Sequence, residues 1–410
     1  MVFSCLSSAT IDGMPSGFFG SYKSLREANK AKLLDSIYKF GAMTQVELAE
    51  LTGLSAGTIS TLVRQMADEG ELTTSNTIRN GRRATQVELA RQEGITIGLT
   101  ISTRQLTLVI LDFTRASLGE HTLPLALGHK PDDTLHRAMR LINETLANIG
   151  AQPDEIKAIG VGLSAPVNFR EKTIAVPGIL PGWEGTDIVT PLNKVFHVPV
   201  FVDNDFNFAA LCEARVGVAA GKKNFIYVGS SYSGVGAGII SHGLLMRGVT
   251  GMAGEIGHIQ VDPLGDICAC GNRGCLNTVV NERRLVSLLS ITHGNLTLDS
   301  LVDKAIEDDP GCRRVISDAA VRIGTVTANL CISIDPELVV VGGTLARAKE
   351  VFTDPFAEAL RRLLFPNALT PIEVVPARYL ETSPARGAAI YALEHLDSTV
   401  HSPGFLQGKK

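Results

Sequence analysis

Residues 254–276 read GEIGHIQVDPLGDICACGNRGCL, and the reading of the whole chain starts from this stretch. His258 is followed by Cys268, Cys270 and Cys275, the last three within eight residues. One imidazole and three thiolates make the closed tetrahedral donor set that structural zinc prefers. Gly271 and Gly274 let the chain turn tightly enough to gather three sulfurs. The set leaves no open coordination position, so the metal is expected to hold structure and not to catalyse. Three free thiols in a loop are the alternative, but crowded cysteines behind no secretory start read as metal ligands. The other four, Cys5, Cys212, Cys312 and Cys331, are scattered. The last three lie in apolar or helical surroundings, where a thiol packs as a small apolar group.

Outward from this stretch, strand, turn and helix alternate on both sides. Upstream come ITIGLTIS, LTLVILDF, a helix near residues 134–149 and IKAIGVGLSAPV. A second block runs from Val198 through KNFIYVGSS and GVGAGIISHGLL to PELVVVGG. Two tandem α/β blocks with glycine turns predict two lobes around a cleft, residues 94–203 and 204–384. A last helix at 385–397 is expected to return to the first lobe. The first 22 residues lack a basic start and a sustained apolar run and are expected to be a disordered tail. No window reaches eighteen uninterrupted apolar residues, so no membrane span and a cytoplasmic location are expected. The 410-residue chain is 45% hydrophobic and 20% charged, able to bury large cores, and its net charge of −4 supplies no global basic field. Contact with nucleic acid must come from a local patch.

Such a patch is legible at residues 23–90. Leu25, Ala28, Leu33, Ile37 and Phe40 recur at helical spacing over residues 24–40, and Gly41 ends that helix. Thr44 caps TQVELAELTG with Glu47 in capping-box register. Gly53 closes it, Leu54 fills the turn, and Ser55 caps SAGTISTLVRQMADEG. In that third helix Ile59, Leu62, Val63 and Met66 form the buried stripe. Ser55, Ala56, Thr58, Ser60, Thr61 and Arg64 form a narrow polar face suited to the major groove. Two short strands follow around a tip holding Arg79, Gly81, Arg82 and Arg83, a wing whose arginines can enter a minor groove. Residues 1–90 hold nine basic and nine acidic side chains, so the charges must be segregated by face. Lys23, Arg26, Lys30 and Lys32 are expected to line phosphates. A helical protein-interaction module is the alternative; the basic wing favours double-stranded DNA.

Taken with its motif order, GEIGHIQVDPLGDICACGNRGCL resembles the ROK family of repressors, uncharacterised reading frames and sugar kinases, over nearly the whole chain. The resemblance implies a winged helix-turn-helix before a two-lobed α/β domain of ribonuclease H-like, actin-like and sugar-kinase-like fold. Family kinases open with Asp-x-Gly-x-Thr, which holds ATP phosphates and magnesium. Here that strand reads Ile97-Gly98-Leu99-Thr100-Ile101-Ser102, without the aspartate. Without that carboxylate Mg²⁺ loses a ligand on which phosphoryl transfer depends, so no catalytic residues are expected. The second phosphate loop survives only partly as residues 229–236, GSSYSGVG, with Tyr232 and serines where glycine backbone would approach phosphate. VVVGGTLA, with Gly342 and Gly343, resembles the adenosine-side loop.

The sugar side is better kept. Asp203-Asn204-Asp205 resembles the segment whose second aspartate is the family's base, and in a repressor Asp205 would accept a hydroxyl hydrogen bond, with Asn204 giving a second. Asp205 as a simple helix N-cap is the alternative. Glu255 and His258 match residues that face the sugar. The usual glutamate after the last cysteine is replaced by Asn277, and Ser164-Ala165-Pro166 stands where Pro-Gly is commoner. An amide can donate as well as accept, so the preferred hydroxyl pattern differs. The resulting expectation is a repressor of carbohydrate genes with structural zinc, an effector sugar or sugar phosphate, and a homodimer or dimer of dimers that reads two half-sites. Control by a protein such as a sugar-transport component, and an ATP-dependent sugar kinase, are the rivals.

Overall fold

The computed structural model describes residues 22–79, 82–89, 94–365 and 371–396. The chain divides into two compact units, one ending at residue 90 and one beginning at residue 91. Of the expected tail at residues 1–22, Tyr22 opens a helix and residues 1–21 lie outside the described residues, as does the wing-tip residue Gly81.

The first unit contains α1 (Tyr22–Phe40), β1 (Met43–Thr44), α2 (Gln45–Thr52), α3 (Ala56–Asp68), β2 (Leu72–Arg79) and β3 (Arg82–Leu89). β2 and β3 pair antiparallel along their whole length, and β1 adds to β3. The capping box at Thr44 and Glu47 forms as the sequence predicts, and Gly53 closes α2 in the left-handed conformation at φ 71°. Leu33, Ile37, Leu48, Ile59, Leu62, Val63 and Met66 make one core with Leu72 and Val87. Of the predicted α1 stripe, Ala28 is exposed and Phe40 is 53% exposed, while the side chain of Leu25 lies outside the described residues. The buried face of α1 is set by Leu33 and Ile37, one turn apart; Phe40 shares their face by spacing but is the last residue of the helix and stays exposed.

The second unit repeats one topology. Its first sheet uses β4 (Ile95–Ile101), β5 (Gln105–Asp112), β6 (Ser117–Pro124), β7 (Ile156–Leu163) and later β10 (Val200–Asn204). Helix α4 (Pro131–Ile149) follows β6, and a small hairpin β8 (Val167–Asn168)–β9 (Thr173–Ile174) and α5 (Val189–Phe196) precede β10. The second sheet uses β11 (Phe225–Ser231), β12 (Gly234–Ser241), β13 (Leu244–Leu245), β14 (Leu338–Gly343) and β15 (Glu373–Pro376), preceded by α6 (Asp205–Arg215). In both sheets the spatial order is third, second, first, fourth, fifth, with the first three strands antiparallel and the last two parallel to the first. Between β13 and β14 lie the cysteine loop, α7 (Asn277–Val280), α8 (Glu282–Ser287), α9 (Ser290–His293), α10 (Leu298–Ile306) and α11 (Pro310–Ile334); α12 (Glu350–Leu363) follows β14. α11 is long and apolar enough to cross a membrane by composition, but its apolar face belongs to the core of the second sheet, with Phe352 and Phe356 of α12.

The last helix, α13 (Ser383–Glu394), packs on β4, β7 and α6. A Cβ on Gly98 would lie 1.8 Å from the Ala385 carbonyl oxygen, and one on Gly387 would lie 1.8 Å from that of Phe208. Gly98 therefore serves close strand-to-helix packing. Buried Glu394 pairs with Arg115 and Arg215, and Arg386 with Glu120, anchoring α13 along its length.

Candidate functional site

In the first unit α3 offers two unlike faces. Ile59, Leu62, Val63 and Met66 face the core. Ser55, Ala56, Thr61 and Arg64 are exposed, with Thr58 and Ser60 half-buried beside them. Ser55 caps the helix by accepting from the Thr58 N–H at 3.1 Å, and the two hydroxyls lie 2.8 Å apart. Thr61 donates to the Gly57 carbonyl at 2.9 Å, which leaves its lone pairs outward. Arg83 is exposed at the wing, where Arg79 and Arg82 are cross-strand partners. Two of the expected phosphate contacts are otherwise occupied. Lys30 bridges Glu69 at 2.9 Å and Glu71 at 2.7 Å, and Arg26 donates to Gln65. These bonds tie α1 to the end of α3; the carboxylates that claim Lys30 are thirty-nine and forty-one residues away.

In the second unit β10 delivers Asp205 to the first turn of α6. The carboxylate is buried, accepts from the Phe206 N–H at 2.9 Å and from the Ser164 hydroxyl, and burial pushes its pKa up to about 7. Asn204, expected to meet the effector, is the N-cap of α6. Its Oδ1 accepts from the N–H groups of Phe206 and Asn207 at 2.9 and 3.3 Å, and its Nδ2 donates to the Ala165 carbonyl at 3.1 Å. Either residue could have capped by type; Asn204, one residue ahead, takes the position and leaves Asp205 inside the helix. The Glu255 carboxylate has no hydrogen-bond partner among the described residues, and burial followed by the charge of Asp205 pushes its pKa up to about 8.

A short 3₁₀ turn, Ile256–His258, links Glu255 to the cysteine loop. The donor atoms of His258, Cys268, Cys270 and Cys275 all lie within 4.8 Å of one another. His258 Nδ1 is 3.6 Å from Cys268 Sγ, and the sulfurs of Cys270 and Cys275 are 3.8 Å apart. A tetrahedron with Zn–S bonds of about 2.3 Å has edges of about 3.8 Å. The two separations match such edges, so the four donors are gathered at close to the size that ion needs. Burial lowers the pKa of His258, favouring the neutral imidazole that binds metal.

His258 and Asn277 share the wall of a cavity of about 620 Å³ whose other lining includes Ile179, Ser233, Asp266, Arg283 and Arg284. Asn277 Oδ1 accepts from the Val235 N–H at 2.8 Å, and its Nδ2 has no partner among the described residues. Asp205 does not line this cavity. It borders a separate recess of about 50 Å³ with Thr100, Ser164, Ser230, Tyr232 and Thr344. The predicted effector set is thus divided: His258 with Asn277, Asp205 within electrostatic reach of Glu255, and Asn204 committed to backbone.

That small recess lies between the two strand-turns expected to hold phosphate. At about 50 Å³ it has room for only a few waters. The Tyr232 hydroxyl accepts from Gln105 Nε2 at 2.7 Å and donates to Asp299 at 2.9 Å. Asp299 in turn pairs with Arg347 at 2.7 Å, and Arg104 pairs with Glu282 at 3.2 Å. Tyr232 was conspicuous in sequence among glycines; nothing there singled out Gln105, Asp299 or Arg347, which come from separate elements.

Comparison with known proteins follows this division. The ROK family model matches residues 95–395 and the MarR family model matches residues 27–83. The putative xylose repressor of Caldicellulosiruptor sp. is 26% identical over 367 residues, covering 85% of this chain and 90% of that one. The DNA-binding transcriptional dual regulator NagC of Escherichia coli is 28% identical, covering 81% and 84%. Among solved structures, a ROK family transcriptional regulator described as a homologue of the E. coli MLC protein superposes with a TM-score of 0.72 at 23% identity, covering 91% of this chain and 97% of that one. A ROK family glucokinase of Streptomyces griseus, in complex with glucose and AMPPNP, superposes with a TM-score of 0.65 at 25% identity, covering 73% and 99%.

Proposed function

This chain belongs to the ROK family, and on that footing we propose that it is a sugar-responsive, DNA-binding transcriptional repressor that no longer phosphorylates sugar. One observation carries the reading: the Gln105–Tyr232–Asp299 bridge joins the two strand-turns expected to hold phosphate, while the buried carboxylates expected to face a sugar are kept. The putative xylose repressor matches 85% of this chain and the dual regulator NagC 81%, whereas the glucokinase matches 73%.

In this reading the face of α3 enters the major groove, with Ser55, Ala56, Thr58, Ser60, Thr61 and Arg64 against bases and phosphates. Arg79, Arg82 and Arg83 follow the minor groove from the wing. Asp205 and Glu255 accept hydroxyl hydrogen bonds from the sugar, and Asn277 donates one. A zinc ion held by His258, Cys268, Cys270 and Cys275 fixes the turn that carries Glu255. Two copies associate so that two recognition helices reach two half-sites. Sugar binding biases the lobes toward one closure, and the bias lowers operator affinity only in so far as the two closures bind DNA differently.

Thermal unfolding of zinc-loaded protein against pentoses, hexoses, amino sugars and their phosphates, with and without Mg·ATP, tests this. A ligand at a hundred times its Kd adds about 2.7 kcal/mol to stability, a readily seen shift. A shift from one sugar class that ATP leaves unchanged is expected. Sugar-dependent ADP release would sink the reading in favour of a kinase.

A further inference from the structure

We propose that the cavity beside the metal cluster is an oxyanion pocket, so that the effector is a phosphorylated or carboxylated sugar and not its neutral parent. The inference rests on the sugar-responsive reading and names the ligand class for that site.

Two arginines carry it. Arg283 and Arg284 of α8 line the cavity, both are exposed, and neither side chain meets a carboxylate among the described residues. Other arginines near the cleft do: Arg104 holds Glu282, Arg247 holds Asp203, and Arg347 holds Asp299 and Asp303. Glu282 adjoins the pair in sequence but is taken, one oxygen by Arg104 at 3.2 Å and the other by the Leu298 N–H at 3.3 Å. Two unpaired guanidinium groups on one cavity wall present planar donor forks that match a phosphate or carboxylate.

The rest of the wall agrees. Asn277 is a neutral amide where the family usually places a glutamate, and its oxygen is turned away into the Val235 N–H. A carboxylate there would oppose an anion; the free Nδ2 of Asn277 favours one. Asn281 likewise spends its oxygen on the Arg284 N–H at 2.9 Å. Asp266 is the one carboxylate among the cavity's lining residues. His258 and Asn277, the two expected effector contacts that line this cavity, share it with both arginines, so a ligand that carries both hydroxyls and an oxyanion suits its lining.

Isothermal titration of the full zinc-loaded chain tests the proposal with glucose, N-acetylglucosamine and xylose, the phosphates of each, glucuronate, and inorganic phosphate. At least one phosphate or uronate is expected to bind ten-fold or more tightly than its neutral parent. Arg283→Gln/Arg284→Gln should erase that ratio, leave the unfolding temperature unchanged and flatten the salt dependence. Glucuronate and the phosphates distinguish the two oxyanions. Neutral sugars binding as tightly as their phosphates, or a ratio untouched by the double variant, would overturn the oxyanion pocket and leave the sugar reading standing. Inorganic phosphate bound alone, and lost in the double variant, would keep the pocket and overturn the sugar reading. No binding by any probe would overturn both.

Discussion

Gln105 on β5 and Tyr232 in the turn after β11 are joined by a 2.7 Å hydrogen bond from the amide to the phenol oxygen. The two residues belong to different sheets, so one phenol group ties the two halves of the second unit together. Its own proton goes to Asp299, which pushes its pKa up further after burial has raised it.

Tyr232→Phe keeps the ring and removes both bonds. A neutral bond contributes about 0.5–1.5 kcal/mol and one to a charged partner about 1.5–3 kcal/mol. A loss of about 1–3 kcal/mol is expected in urea unfolding, since Asp299 keeps Arg347. No ATP hydrolysis should appear, because the first strand still lacks its aspartate. Unchanged stability would show that the bridge holds nothing.

The paired carboxylates give a pH dependence with a definite sign. Asp205 and Glu255 titrate near 7 and 8 in the fold, and near 4 when unfolded. The folded chain thus keeps protons that the unfolded chain has lost. Their contribution to stability is complete below pH 4 and declines as pH rises through 7 to 8. Sugar affinity should run the other way, rising over pH 6 to 9 as the carboxylates ionise into better acceptors. Asp205→Asn should flatten the decline in unfolding temperature and abolish sugar binding. A pH-independent unfolding temperature between 5 and 9 would contradict this.

Metal removal should act on the effector site before it acts on DNA reading. Structural zinc of this type contributes on the order of 10 kcal/mol of apparent binding free energy. Cys270→Ser should lower metal content from one equivalent and destabilise the second unit. The first unit has its own core, so DNA binding without effector should survive while the sugar response is lost. Full sugar response in metal-free protein would refute the coupling of the cysteine loop to Glu255.

At the DNA face the basic residues separate into two kinds. Arg64→Ala and Arg82→Ala should each weaken DNA binding and lower the salt slope by about 1. Lys30→Ala should instead loosen the first unit, because it breaks both of the lysine's ion pairs to Glu69 and Glu71. Equal effects of all three on the salt slope would return Lys30 to the phosphate contacts.

The contrast between Arg64 and Lys30 shows what a sequence discloses. Features set within one or two turns were legible: the caps at Thr44 and Ser55, the stripe of α3, the left-handed Gly53, and the clustering of His258 with three cysteines inside eighteen residues. Features set by distant partners were not. Nothing local says that Lys30 meets Glu69, that Gly98 makes room for Ala385, or that Asn204 and not Asp205 caps α6. The duplicated sheet order was hidden for the same reason, because its likeness lies in strand pairing and not in any repeated motif.

The most direct measurement takes a duplex selected by the full-length protein from random DNA and titrates it, by fluorescence anisotropy, with and without the tightest sugar ligand at saturation. A coupling of 1–3 kcal/mol corresponds to roughly 5–150-fold in affinity. The expected result is a loss within that range for the wild type and none for Asp205→Asn. A tightly bound sugar that leaves the affinity of the wild-type protein for this duplex unchanged would contradict the sugar-responsive repressor.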